Sequence, residues 1–311
     1  MVHYPNFGLK IRSMWVRVPP PLPVADAFFE QNVRAGYLIK SFIARHPLIF
    51  SLLVTLALFG LTVVSRATLP TYVVASVTDL PPEALEQPSA WERAFSVIES
   101  SENLFQVLAI LLAVPLLAAL GWWREAGFNR PSRWRNLHLL WFPLLVGTLS
   151  LLGGVEVTEP ALFVPAMLGL LITVFGEELF YRGIVWRALA PTGVMWAVVV
   201  TSLLYGLLYL GRLGSAEPWP EAVYLTILAT CAGFTYAALR WRTASIWPVI
   251  LLHSVLGVIG GISTPETVPS LASPLVFAMT LGFVGYGLFL VRSPRVRADG
   301  GPPVQEPARA R

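Results

Sequence analysis

Apolar residues fill this chain in long blocks rather than at helical or strand intervals. Eight blocks stand out, at 47–65, 104–123, 137–154, 161–181, 194–213, 222–239, 245–262 and 271–291, separated by polar stretches. Each has, or nearly has, the roughly 20 residues that an α-helix needs to cross a hydrocarbon core. A block that is apolar on every face has no water-facing side, so it belongs inside a large core or a bilayer. The expected fold is all-α: a polytopic transmembrane helix bundle of about eight spans. Composition supports this, because 55% of the 311 residues are hydrophobic and 13% are charged, about half the charge of a soluble domain.

The charges between the blocks alternate in sign. Arg34, Lys40 and Arg45 precede the first block, and Asp79, Glu83, Glu86, Glu92, Glu99 and Glu102 follow it. Arg124, Arg130, Arg133 and Arg135 come next, then Glu156 and Glu159, then Arg187. Glu217 and Glu221, Arg240 and Arg242, Glu266, and finally Arg292, Arg295 and Arg297 complete the series. Basic residues mark the cytoplasmic ends of short loops. Both termini are therefore expected in the cytoplasm of a multi-pass protein of the inner (cytoplasmic) membrane, although Arg66, Arg93 and Arg212 run against the trend. The net charge of +4 implies no nucleic-acid partner. The arginines are spread over loops that face the bilayer surface, where anionic headgroups are the nearer partner.

Four regions follow. Residues 1–24 form a doubtful N-terminal extension containing the proline-rich run 15–23, which reads as polyproline II. It resembles the translation of a neighbouring transfer-RNA gene, and a start near Val24 is expected. Residues 25–136 hold the first two spans, the acidic loop and a basic, aromatic interfacial connector at 122–137. Residues 137–292 are the main membrane core, and 293–311 are a basic tail with the composition of a disordered segment. The acidic loop is expected to end in an amphipathic helix carrying Val97, Glu99, Glu102, Leu104 and Phe105. Cys231 is the only cysteine, so no intrachain disulfide is possible, and it reads as a small packing residue.

The chemistry gathers in the fourth and seventh blocks. Glu177, Glu178 and Arg182 follow a stretch, 161–175, with no charged residue. A charge at the bilayer centre costs about 3 kcal/mol on insertion scales, so intramembrane ionisable groups point to function. Glu178 and Arg182 stand i,i+4 in the favoured order and can pair. Successive helical residues diverge by about 100°, so the two carboxylates are not expected to face one groove equally. Arg182 is expected to neutralise and hold Glu178, leaving Glu177 free to face a polar cavity as a general base. Burial and a nearby cation act on such a base in opposite senses and can tune it to deprotonate water. The alternative is a charge cluster that merely locks helices together. His253 is the one histidine deep in an apolar block; alone it reads equally as a hydrogen-bonded core residue. Tyr205 and Tyr209 lie one turn apart in the fifth block, and Tyr224 and Tyr236 lie in the sixth. Thr173, Thr201, Ser202, Thr230, Thr235 and Ser254 can return their hydroxyls to their own helix.

The run from Glu177 to Arg182, followed by Gly183, resembles the first motif of the CPBP family, the type II CAAX prenyl endopeptidases and bacteriocin-processing relatives: two glutamates, three residues, an arginine. The likeness extends over about 137–261. The family's second motif, an aromatic, three residues and a histidine, aligns on Tyr205 and Tyr209, with tyrosine in place of histidine. The third, a histidine, three residues and an asparagine, aligns on His253 and Gly257, with glycine in place of asparagine. The resemblance implies an intramembrane endopeptidase of a bacterial membrane acting on a membrane-associated peptide or protein. Glu177 would activate water, Glu178 and Arg182 would support it, and Tyr209 or His253 would stabilise the oxyanion. No cofactor is expected. A divalent metal is poorly supported, because catalytic zinc takes three protein ligands and tyrosine is a weak substitute for the lost histidine. Two alternatives remain open: a weakened or inactive relative that binds membrane proteins, and an ion- or proton-coupled transporter, for which paired interrupted helices in two halves are missing. The enzyme reading requires the carboxylates of the fourth span and the imidazole of the seventh to share one pocket.

Mass spectrometry of the protein from its native membrane is expected to find no peptide upstream of Val24; any such peptide removes the start-site reading.

Overall fold

The structure is a computed structural model that describes residues 36–78, 101–130, 134–155, 160–210, 219–263 and 274–293. The N-terminal extension, the acidic segment 79–100 and the tail beyond Ser293 lie outside the described residues. The described chain is helical. Helix α1 covers 36–45, α2 is Pro47–Thr78 and α3 is Ser101–Leu120. After a 3₁₀ segment, Trp134–Leu140, come α4 (Trp141–Thr148) and a second 3₁₀ turn, Leu149–Gly153. Helix α5 (Pro160–Glu178) runs directly into a π-helical segment, Leu179–Val185, and then into α6 (Trp186–Leu189). The remaining helices are α7 (Val194–Tyr209), α8 (Trp219–Thr243), α9 (Trp247–Ile262) and α10 (Pro274–Arg292).

Each of the eight expected apolar blocks is largely helical over its described residues, because a backbone in hydrocarbon must satisfy its own N–H and C=O groups. Among the described residues, three stretches are long and apolar enough to cross a membrane: Pro47–Val64, Phe163–Thr192 and Ala222–Thr243. Shorter apolar helices cover Phe105–Leu120, Asn136–Leu152, Val194–Tyr209, Trp247–Ile262 and Phe277–Arg292. The fourth block differs from expectation in reaching past 181, since the π segment and α6 carry it on to Thr192.

The polarity of the bundle is inverted relative to a soluble protein. Leu52, Leu56, Leu111, Leu112, Leu168 and Leu251 point outward, whereas Glu178, Arg182, Thr201 and Thr235 are fully buried. Outward leucines match a lipid solvent, and inward polar groups must then find partners within the protein. Ser202 and Thr230 bond the carbonyl one turn back on their own helices, as expected. Thr235 instead donates across to the Phe283 carbonyl, because α10 runs close beside α8.

Helix α7 lies along α8, α3 bridges α2 and α5, and α9 closes on α5. The α7–α8 contact is tight at Gly206, where a Cβ would meet the Thr230 hydroxyl and come within 2.9 Å of the Thr226 carbonyl. At one end of the bundle, the connector 121–130 is folded inward. The Ile246 N–H donates to the Gly127 carbonyl at 3.0 Å, and the Ser245 hydroxyl donates to the Asn129 carbonyl at 2.8 Å. Gly127 has φ +98°, and a Cβ there would stand 2.6 Å from the Arg240 guanidinium. This segment therefore docks the first helices onto the α8–α9 turn.

Gly206→Ala is expected to lower the thermal midpoint in detergent by several degrees, since overpacking costs about 1–3 kcal/mol. Gly260→Ala, which meets nothing within 4 Å, is expected to leave the midpoint unchanged or raised; equal losses in both variants would show that the close α7–α8 approach is not the cause.

Candidate active site

The site is built where α5 changes its winding. The Trp186 N–H bonds the Tyr181 carbonyl five residues back, the hydrogen-bond pattern of a π turn. Such turns are rare and are found often at functional sites. Every residue from Leu179 to Val185 is buried. The turn begins immediately after Glu178 and contains Arg182, so the motif straddles the change of winding.

Arg182 is enclosed on all sides. Its Nη1 lies 3.3 Å from Glu178 Oε1, and its Nη2 donates to the Gly233 carbonyl at 3.4 Å. Its guanidinium lies over the Tyr205 ring at 4.1 Å and the Tyr236 ring at 5.3 Å, two cation–π contacts to a fully buried cation. Gly233 is required here, because a Cβ would come within 3.1 Å of Nη2 and 2.9 Å of Tyr205. The Arg240 Nε–H donates to the Arg182 carbonyl at 3.3 Å, and Arg240 Nη2 donates to the Glu125 carbonyl at 2.9 Å.

His253 enters from α9. Its Nδ1 lies 2.8 Å from Glu178 Oε1, and its Nε2 lies 3.9 Å from Glu177 Oε2. Nδ1 thus faces Glu178, and Nε2 is turned toward Glu177. The ring packs against Tyr236, with centroids 5.0 Å apart. Glu177 accepts a hydrogen bond from the Tyr205 hydroxyl at 2.9 Å, and the Tyr205 and Tyr209 oxygens are 3.1 Å apart.

The five expected site residues, Glu177, Glu178, Arg182, Tyr209 and His253, thus gather in one cluster. Its wiring differs from expectation. Glu178 faces His253 as well as Arg182, so the held carboxylate orients the imidazole rather than Glu177. Glu177 is not free: Tyr205 binds it. The two carboxylates also both reach His253, because that ring lies between them, with one nitrogen turned to each. Tyr209 stands one step further out and meets Glu177 through Tyr205. Tyr205, Gly233, Tyr236 and Arg240 were not legible as site residues. Only Tyr205 carried a signal, as the aromatic of the second motif. The place of the third-motif asparagine is filled, since a Cβ at Gly257 would lie 2.7 Å from a Leu170 methyl.

Among the described residues, no three His, Cys, Asp or Glu side chains are grouped to hold a metal ion. Glu178 Oε1 and His253 Nδ1 are turned to each other, and a guanidinium stands beside them.

Residues 159–259 match the family model for a Type II CAAX prenyl endopeptidase, Rce1-like. The chain carries an Rce1-like domain. No curated protein and no solved structure matched. The Rce1-like segment runs from the start of α5 to near the end of α9 and contains the whole cluster, from Glu177 to Gly257. It is about a third of the chain; α2, α3 and α10 pack around it from outside.

Gly257→Asn alone is expected to destabilise the Rce1-like domain, because Leu170 occupies the space. Leu170→Ala combined with Gly257→Asn is expected to recover part of the loss. Thermal midpoints of the two single variants and the pair test this, and strict additivity would show that the two positions do not compete for the same volume.

Proposed function

We propose that this membrane protein is an intramembrane endopeptidase in which Glu177 activates water to cleave a peptide bond of a membrane-associated protein. The observation that carries the reading is the 3.9 Å approach of His253 Nε2 to Glu177 Oε2, inside a bundle whose outer surface is apolar. A general base and an imidazole nitrogen thereby border one space, and an atom seated beside the pair can reach both.

The imidazole lies between the two carboxylates. With a proton on each ring nitrogen, Nδ1–H donates to Glu178 and Nε2–H points toward the reacting centre. Glu177 takes a proton from water as the hydroxide adds to the scissile carbonyl. His253 Nε2–H then donates to the developing oxyanion, an interaction worth roughly 10²–10³ in rate. The proton held on Glu177 passes to the leaving amine as the tetrahedral intermediate collapses. Glu178 and Arg182 act one step back by fixing the imidazole, as a carboxylate does for the histidine of a hydrolytic triad. The substrate class, a membrane-associated peptide or protein, follows from the Rce1-like domain and the buried site. The reading includes eight crossings of an inner membrane with both termini in the cytoplasm.

The test compares the mature termini of membrane and secreted proteins in cells expressing wild type, Glu177→Gln, or no protein. Glu177→Gln is expected to lose the same set of cleaved termini as the deletion while retaining wild-type abundance and thermal midpoint, because removing a general base costs roughly 10²–10⁴ in rate. Wild-type processing by Glu177→Gln would remove the proposal.

A further inference from the structure

Tyr205 and Tyr209 share one face of α7, a turn apart, and their hydroxyls lead away from Glu177 in sequence. Tyr205 is almost wholly buried, with 2% of its surface exposed, and Tyr209 is partly exposed. A tyrosine hydroxyl has one proton. The Tyr205 proton is committed to Glu177 Oε2 at 2.9 Å. The 3.1 Å contact between the two phenols must therefore be a donation from Tyr209 to Tyr205. The result is a directed chain, Tyr209 to Tyr205 to Glu177, with each donor strengthened by the one behind it.

We propose that this pair of phenols positions Glu177, with Tyr209 acting on it through Tyr205. The proposal rests on the reading of Glu177 as the base and assigns a role to the tyrosine that stands in the place of the second-motif histidine. A histidine at 209 would offer an imidazole at this point of α7. A tyrosine offers a donor that the neighbouring phenol already accepts. Packing alone does not explain the hydroxyls. The Tyr205 ring already fills its place by lying over Arg182 at 4.1 Å and edge-on to Tyr181 at 5.3 Å, and phenylalanine would make the same contacts. The tyrosine at 205 contributes the one hydrogen bond that Glu177 receives in the described structure.

The test uses the full-length protein with Tyr205→Phe, Tyr209→Phe, both together, and Glu177→Gln. Tyr205→Phe is expected to lower kcat about 10–100-fold, the worth of a hydrogen bond to a charged group, with KM unchanged. Tyr209→Phe is expected to lose less, and the double variant to match Tyr205→Phe alone, since the effect of Tyr209 on Glu177 runs through Tyr205. An infrared readout needs no turnover: the Glu177 carboxyl band, assigned by its loss in Glu177→Gln, is expected to shift in Tyr205→Phe and to shift less in Tyr209→Phe. Wild-type kcat and an unshifted band in Tyr205→Phe would overturn the proposal. Multiplying losses in the double variant would do so too, by giving Tyr209 a role of its own. Full turnover by Glu177→Gln would instead sink the assignment of the base, and the band would still decide whether the phenols hold that carboxylate.

Discussion

Arg182 is a fully buried cation in the middle of an apolar bundle, and the surrounding structure answers to that fact. Moving an ammonium- or guanidinium-sized charge from water to a medium of low dielectric costs several kcal/mol even after relaxation. The compensation is spread over three helices. Glu178 supplies the counter-charge from the same helix, Tyr205 supplies a ring face from α7, and Tyr236 and the Gly233 carbonyl close the site from α8. Glycine at 233 is part of this arrangement because any side chain would push the guanidinium off its carbonyl. The α7–α8 pairing is also closest just beside it, at Gly206, so helix approach and charge burial depend on each other.

The π segment belongs to the same constraint. A helix wound with five-residue hydrogen bonds leaves some carbonyls out of line with the α-helical ladder. The Arg182 carbonyl, inside the segment, accepts from Arg240. Arg240 in turn holds the Glu125 carbonyl, so the connector between α3 and the 3₁₀ segment is tied to the motif helix through one guanidinium. A change in α8 near Arg240 would thus be felt at the carboxylates without touching them.

Much of this was legible in the sequence, and the limits have physical causes. The eight apolar blocks read as helices because lipid-facing backbone leaves no other choice. Glu177, Glu178, Arg182 and His253 stood out because an ionisable group is conspicuous in an apolar block whatever its neighbours. Tyr205 and Tyr236 did not, because tyrosine is ordinary in a membrane helix and its hydroxyl gains meaning only from what faces it. Gly233 is one of 24 glycines, and its need is set by a side chain 51 residues away. The sharing of Glu178 between Arg182 and His253 was hidden for the same reason: spacing along one helix predicts the i,i+4 partner and says nothing of a residue arriving from α9. The inward fold of 121–130 was also hidden, since its aromatic and basic residues suit a membrane interface equally well.

The two departures from the CPBP motifs have unequal consequences. At position 209 a hydrogen-bonding group is exchanged for another hydrogen-bonding group, and the local chain of donors still ends on Glu177. At position 257 a polar group is exchanged for none, and Leu170 fills the space. The remaining polar groups are therefore asymmetric about the reacting centre: the water side, as proposed, keeps a carboxylate with a donor behind it, and the oxyanion side keeps His253 alone. On this reading the imidazole carries more of the transition-state charge than it would with an asparagine beside it. That makes its orientation by Glu178 the more important, and it gives a reason for Arg182 to pair with the carboxylate that holds the imidazole rather than with the carboxylate that meets water.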